Sequence, residues 1–288
     1  MKTYEISCGS GVLTFGGRTR IMGIVNVTPD SFSDGGDFFS HERAVNQGMA
    51  LYEAGADVLD IGGESTRPFS DPVSIEEEIH RVVPVIAALV KRVAIPISVD
   101  TTKAAVAKRA LDAGAAIIND ISALRFDPEM AKVAARYRTP VILMHMKGKP
   151  KDMQVQPVYN DLMGEVLQFL KDAMRFAEQN GIVRSALIVD PGIGFGKTAS
   201  HNLFLLKHLA QLRRLDVPIL VGTSRKAFLR NLVAQHRNGP ADAKGPDVAA
   251  ATQISVAAAV LHGAHMVRVH DVADTALALQ VVDAIKNA

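Results

Sequence analysis

Eight short apolar runs, each with a polar residue at or near its end, constrain this chain more than any other feature. They fall at residues 21–25, 58–61, 97–99, 117–118, 141–144, 187–189, 219–221 and 266–269. Val, Ile and Leu dominate them without alternation. That is the pattern of strands buried on both faces, as in a parallel sheet. Successive runs start about 20 or more residues apart, enough for a helical crossover between parallel strands.

A weak repeat supports the same reading. Ala54-Gly55-Ala56-Asp57-Val58-Leu59-Asp60 resembles Ala113-Gly114-Ala115-Ala116-Ile117-Ile118-Asn119 and His262-Gly263-Ala264-His265-Met266-Val267-Arg268. In each, a helix ends at a glycine and feeds a buried strand. Residues 4–6 and 12–15 flank Cys8-Gly9-Ser10-Gly11 and read as an opening hairpin, with Cys8 in the turn. The 288 residues suit one large core, and barrels of about 250 residues form single domains. The expectation is an α/β chain, residues 1–288 as one domain: a (β/α)₈ TIM barrel behind an N-terminal β-hairpin. An open doubly wound sheet is the alternative.

Charge excludes some classes of partner. Thirty-two basic and 30 acidic side chains leave +2, no footprint for nucleic acid or a membrane surface. No apolar run reaches the ~18 residues of a membrane helix. Met1-Lys2-Thr3-Tyr4-Glu5 leads into no signal-peptide core. The single cysteine, Cys8, forms no internal disulfide. A cytoplasmic protein is expected.

In barrels the chemistry lies where the strands end. Those positions here are Asn26, Asp60, Asp100, Asn119, Met144-His145, Asp190, Gly222-Thr223-Ser224, and Arg268 with His270. Any one aspartate could cap a helix or turn. Three carboxylates on one rim repel unless a cation, or a ligand rich in N–H donors, sits among them. Basic residues share the rim: Arg268, Arg225 and Lys226, with Arg67 on a long loop. Such residues suit phosphate. Two glycine- or proline-bearing connections, 26–40 and 62–74, are long enough to be binding loops. Residues 237–247 read as a mobile surface loop.

Gly192-Ile193-Gly194-Phe195-Gly196-Lys197-Thr198 ends like a phosphate-binding loop, but its first glycine would fall on Pro191. Its glycines are expected to bring backbone close to a flat ligand on which Phe195 could stack. His145, His201, His208 and His262 show no ligand spacing and read as ordinary histidines.

These residues resemble a known family. Asn26-Val27-Thr28-Pro29-Asp30-Ser31-Phe32-Ser33-Asp34-Gly35-Gly36 and Asp60-Ile61-Gly62-Gly63-Glu64-Ser65-Thr66-Arg67-Pro68 are similar to two signatures of the dihydropteroate synthases. Asp190-Pro191-Gly192-Ile193-Gly194-Phe195-Gly196-Lys197, Gly222-Thr223-Ser224-Arg225-Lys226 and Val267-Arg268-Val269-His270-Asp271-Val272 resemble three more. Order and spacing match along the whole chain, except at 230–247, where nothing carries over.

The resemblance implies a transferase of folate biosynthesis. It joins (7,8-dihydropterin-6-yl)methyl diphosphate to para-aminobenzoate, giving 7,8-dihydropteroate and pyrophosphate. By resemblance, Asp100, Asn119, Met144, Asp190, Phe195, Gly222 and Lys226 bind the pterin. Asn26, Arg67, Arg268 and His270 hold the pyrophosphate, with Asn26 on magnesium. Phe32, Thr66, Pro68, Ser224 and Arg225 shape the aminobenzoate pocket, with Ser224 opening a helix. Asp60, Asp100, Lys226, Arg268 and His270 are the candidate catalytic residues. A homodimer and competition by sulfonamides are also implied. Two alternatives stay open: a pterin-binding barrel that passes a one-carbon unit to a corrinoid protein, and a catalytically silent pterin-binding relative.

Overall fold

The computed structural model describes all residues but 1, 10, 29–35, 66–71 and 149–152, and gives 36–40 as backbone only. Strands β1 (Tyr4–Cys8) and β2 (Gly11–Phe15) form the expected antiparallel hairpin. Cys8 pairs with Gly11, so it belongs to the strand and not to the turn. Its side chain is buried.

Eight strands follow: β3 (Arg20–Asn26), β4 (Val58–Gly62), β5 (Ile97–Asp100), β6 (Ile117–Asp120), β7 (Val141–Met144), β8 (Leu187–Asp190), β9 (Leu220–Val221) and β10 (Met266–Val269). All pair in parallel, in the order β8-β7-β6-β5-β4-β3-β10-β9. A parallel bridge between Val189 and Ile219 brings the first and last of these together. The ring therefore closes, and the open-sheet alternative falls.

Among the described residues, nine helices surround it: α1 (Gly36–Glu53), α2 (Ile75–Leu89), α3 (Ala104–Asp112), α4 (Met130–Tyr137), α5 (Leu162–Gln179), α6 (Ala199–Lys207), α7 (Ala227–Arg237), α8 (Pro246–Leu261) and α9 (Val272–Asn287). Their starts are written in the sequence. Ser74 caps α2, accepting from the Glu77 amide, and three glutamates in the first turn suit the positive helix end. Thr198 and His201 cap α6 reciprocally. The repeated glycines, Gly55, Gly114 and Gly263, have φ of +99°, +105° and +112°, a region side chains other than glycine avoid.

Residues 209–215 form a 3-10 helix after α6. The 237–247 stretch is flanked by α7 and α8, and Arg237 and Asp247 pair at 2.5 Å across it.

The barrel interior has layers. Met22, Val58, Ile117, Ile142, Ile188, Leu220 and Met266 form one cluster with Ile6, Cys8, Leu13 and Phe15 of the hairpin. The hairpin thus fills the end where the strands begin. Side chains in a strand alternate, so the next inward positions lie two residues on. They are Ile24, Asp60, Asn119, Met144, Asp190, Gly222 and Arg268. Outward positions such as Leu59, Val99, Leu143 and Val267 pack against the helices. No described helix is long and apolar enough to cross a membrane.

Candidate active site

The cation that the crowded carboxylates require is a side chain of the protein itself. Arg268, on β10, donates from Nε to Asp60 Oδ2 at 2.6 Å and from Nη2 to Asp100 Oδ2 at 2.8 Å. Asn119 Nδ2 donates to the same Asp60 oxygen at 2.9 Å. This joins β4, β5, β6 and β10 across the mouth of the barrel. The other oxygen of Asp60 and the Ser98 hydroxyl are buried without a hydrogen-bond partner.

These groups shift one another. Burial raises the Asp100 carboxyl to about 7, against the pull of Arg268 and with a push from Asp60. Burial opposes the charge on Arg268, but Asp60 and Asp100 outweigh it and hold the guanidinium above its usual range. The arginine stays charged, and Asp100 stands near the point where it takes up a proton.

The opposite wall carries a second set. Asp190 closes β8, and its Oδ1 accepts from the Gly192 amide at 2.6 Å. Burial raises it to about 6, while that amide and Lys226 draw it down. Lys226 stands at the N-cap position of α7 without a side-chain cap, and its Nζ lies 4.1 Å from the centre of the Phe195 ring. Burial lowers the ammonium to about 8, helped by Arg268 and opposed by Asp190. Phe195 and Met144 belong to a small apolar cluster with Ile121, Met146 and Met153. This wall therefore offers an anionic acceptor, a cationic donor and an apolar face, a set that can grip a flat heterocycle by edge and face.

Ser224 does not open a helix. α7 begins at Ala227, because Lys226 N bonds back to Thr223 O at 3.2 Å and Arg225 takes a φ of +58°. Ser224 is instead buried, its Oγ 3.0 Å from His270 Nδ1. Arg225 pairs with Asp271 at 2.5 Å. The two motifs are thereby stapled together.

The structure places the remaining candidates unevenly. Asn26 is half-buried at the end of β3, paired in register with Gly62. Gly222 sits where an added Cβ would meet Arg268 Cβ at 3.7 Å. Phe32, Thr66, Arg67 and Pro68 lie outside the described residues.

Sequence reasoning missed two clusters. Lys103 bridges Glu64, by a short ion pair, and buried Glu78 at 2.5 Å. Lys197 is buried against His145, whose Nδ1 is 2.9 Å from its Nζ. A lysine closing a glycine run and a histidine closing a strand were the available signals, but neither names a partner so distant in sequence.

Comparison with known proteins fits this geometry. Residues 22–270 match the model of the pterin binding enzymes. A dihydropteroate synthase of Synechocystis is 45% identical over 280 residues, covering 96% of this chain and 93% of that protein. A Xanthomonas albilineans dihydropteroate synthase solved with 4-aminobenzoic acid superposes with a TM-score of 0.90 at 44% identity, covering 100% of both chains. The Yersinia pestis enzyme, solved as a sulfonamide drug complex, gives 0.89 at 41% identity, covering 99% of this chain and 100% of that one. Fold and site thus define a pterin-binding (β/α)₈ barrel. Within that class, the chain belongs to the dihydropteroate synthase family. The one-carbon-transfer alternative gives way to this assignment.

Proposed function

We propose that the chain joins (7,8-dihydropterin-6-yl)methyl diphosphate to para-aminobenzoate, releasing pyrophosphate, through a dissociative step between fixed charges. The arrangement of Asp190, Lys226 and Phe195 carries the reading. The Asp190 carboxylate suits the paired N–H donors of an aminopyrimidine edge. The Lys226 ammonium suits the carbonyl and ring-nitrogen acceptors, and Phe195 and Met144 its face. Asn119, Asp100 and Gly222 complete the ring site.

The bond from the methylene carbon to the bridging oxygen breaks, and its electrons leave with pyrophosphate. The cation left behind is delocalised into the pterin. Asp60 and Asp100, already oriented by Arg268, stabilise it by their fixed negative charge. Arg268, His270, Asn26 and Arg67 receive the departing diphosphate. The aminobenzoate nitrogen is a neutral aniline at pH 7, so it attacks without a strong base, and its proton passes to solvent. Its carboxylate is directed to the amino end of α7, beside Ser224 and Arg225; Phe32, Thr66 and Pro68 belong to this pocket by family resemblance. A free-aniline sulfonamide is expected to compete there.

Magnesium delivered with the diphosphate fits this rim. Asn26 offers an amide oxygen, and among the described residues no group of three His, Cys, Asp or Glu could hold a metal. Magnesium is commonly held by one or two protein ligands together with substrate phosphates, so Asn26 and the diphosphate would share it. When bound, it supplies neutralisation of the leaving group's charge.

The reading extends to assembly and location. Ile254 and Leu261 on α8 and Leu277, Val281 and Ile285 on α9 are all exposed, Ile254 by 72%. The three on α9 recur every four residues, and α8 packs on α9. An apolar stripe of this kind supports a homodimer through these helices. The buried, unpaired Cys8 suits the reducing cytoplasm.

The test uses substrate labelled at the bridging oxygen, with magnesium and with benzoate in place of aminobenzoate. Cleavage that precedes attack scrambles the label into non-bridging positions of recovered substrate, and Asp100→Asn slows it. An unscrambled label, in a ternary complex shown to form with pyrophosphate free to rotate, would instead establish concerted displacement. Dihydropteroate formation in the complete assay tests the overall reaction.

A further inference from the structure

The glycine-rich run after β8 ends in a lysine that no step above uses. Lys197 is 2% exposed. Its Nζ lies 2.9 Å from the carbonyl oxygens of Gly192 and Phe195 and 2.9 Å from His145 Nδ1. An ammonium has three N–H donors, and these acceptors occupy all of them. This lysine needs no phosphate to satisfy it.

The acceptors share a place. Gly192 and Phe195 lie on the loop that follows Asp190 and carries the aromatic ring of the site. His145 is the first residue after β7, beside Met144. The loop backbone is pressed onto that strand end: Gly192 and Gly196 have φ of +68° and +61°. A Cβ at either would collide with the carbonyl oxygen of His145 or Lys147. Other groups hold the outer side, with Tyr159 Oη donating to Gly196 O at 2.7 Å and Gln154 Nε2 to Gly194 O at 2.6 Å.

We propose that Lys197, with His145 as its acceptor, is a positioning residue for recognition of the pterin ring. It draws the Gly192 and Phe195 carbonyls onto itself and so sets the Phe195 ring and the Asp190 carboxylate in register with each other. The inference rests on the ring-site reading above. Burial, reinforced by Lys197, lowers His145 to about 2, so the imidazole is neutral and Nδ1 is free to accept. Burial also lowers Lys197 to about 7, with Asp190 opposing. The charge of Lys197 in turn helps draw Asp190 down.

The experiment compares the full-length protein with Lys197→Met, using 6-hydroxymethylpterin in calorimetry and both substrates in steady-state assays. Pterin affinity and KM for the pterin diphosphate should worsen about tenfold, on the order of one charge-assisted hydrogen bond. The KM for aminobenzoate and kcat should stay within about twofold, since the ring, and not the reacting bond, loses its support. Unchanged pterin affinity overturns the proposal. So does a parallel rise of both KM values with a fallen melting temperature, which marks a merely structural lysine. If Lys197→Met does not fold, His145→Phe decides. It removes the ring acceptor and leaves the carbonyl oxygens of Gly192, Phe195 and, at 3.4 Å, His145 itself, and should give the same selective loss at about threefold; no loss overturns the proposal. Asp190→Asn separates the two levels. If it weakens pterin binding and Lys197→Met does not, only this inference fails. If the unmodified protein binds no pterin, the ring-site reading falls and takes this inference with it.

Discussion

The two ends of the barrel use the same strands for opposite purposes. At one end Val58, Ile117, Ile188 and Met266 meet the hairpin's Phe15 and Leu13 in an apolar plug. Two residues further along those four strands stand Asp60, Asn119, Asp190 and Arg268. A strand returns to the same face every second residue, so a single step of that period separates packing from chemistry. The plug stabilises by removing apolar area from water. The polar layer holds carboxyls raised to about 6 and about 7, and such groups oppose folding when ionised. Stability and reactivity are thus assigned to different heights of one cylinder.

The largest expected effect tests the lower end. Phe15 is fully buried in the plug, and Phe15→Ala should cost about 3–5 kcal/mol. Denaturant unfolding measures the loss, and KM for both substrates should stay near the unmodified values at 25 °C. A variant that unfolds no earlier, or one that loses pterin affinity while folded, breaks the division.

The reverse change tests the upper end. Asp190→Asn should weaken pterin binding by roughly 1.5–3 kcal/mol, the range for a hydrogen bond to a charged group, as read by calorimetry. Stability should not fall at pH 8. The Asp190 carboxyl is raised in the fold to about 6, so the folded state holds its proton more tightly than the unfolded chain does. The destabilisation grows as pH rises from the unfolded value toward 6 and is complete above it. An amide removes that penalty.

The smallest effect sharpens the comparison through pH. For the pterin substrate, kcat/KM should fall on the acid side as Asp190 and Asp100 take up protons at about 6 and about 7. It should fall on the alkaline side as Lys197 and Lys226 lose their protons at about 7 and about 8. Lys226→Arg should remove the limb near 8 and leave in place the acid limb and the smaller loss from Lys197. An alkaline limb that stays near 8 in that variant removes Lys226 from the profile.

Much of this was legible in the sequence because it is local. Buried runs without alternation mark strands, and the polar residue closing each run marks the mouth. The limits of β7 and β10 agree with expectation to the residue. The start of α7 does not, because a turn at Thr223–Lys226 and a left-handed Arg225 delay it. Pairings across the ring were hidden. Arg268 reads as a phosphate ligand both as a basic rim residue and by resemblance, and its partners Asp60 and Asp100 lie 208 and 168 residues away. His145 shows no ligand spacing in the sequence, and its partner Lys197 lies 52 residues away. Spacing reveals periodic neighbours on one element, whereas these contacts exist only after the ring has closed.

The stoppered end has a consequence for traffic. A cup has one doorway, so whatever sits deepest must enter before the mouth is occupied and leave after it is cleared. Asp190 and Asn119 lie at inward positions of the cup, while the amino end of α7 lies beyond the strand ends. The pterin should therefore be first in, and the joined product should back out along the route that pyrophosphate has just vacated. Lingering pyrophosphate would then act as a cork, holding the finished molecule inside.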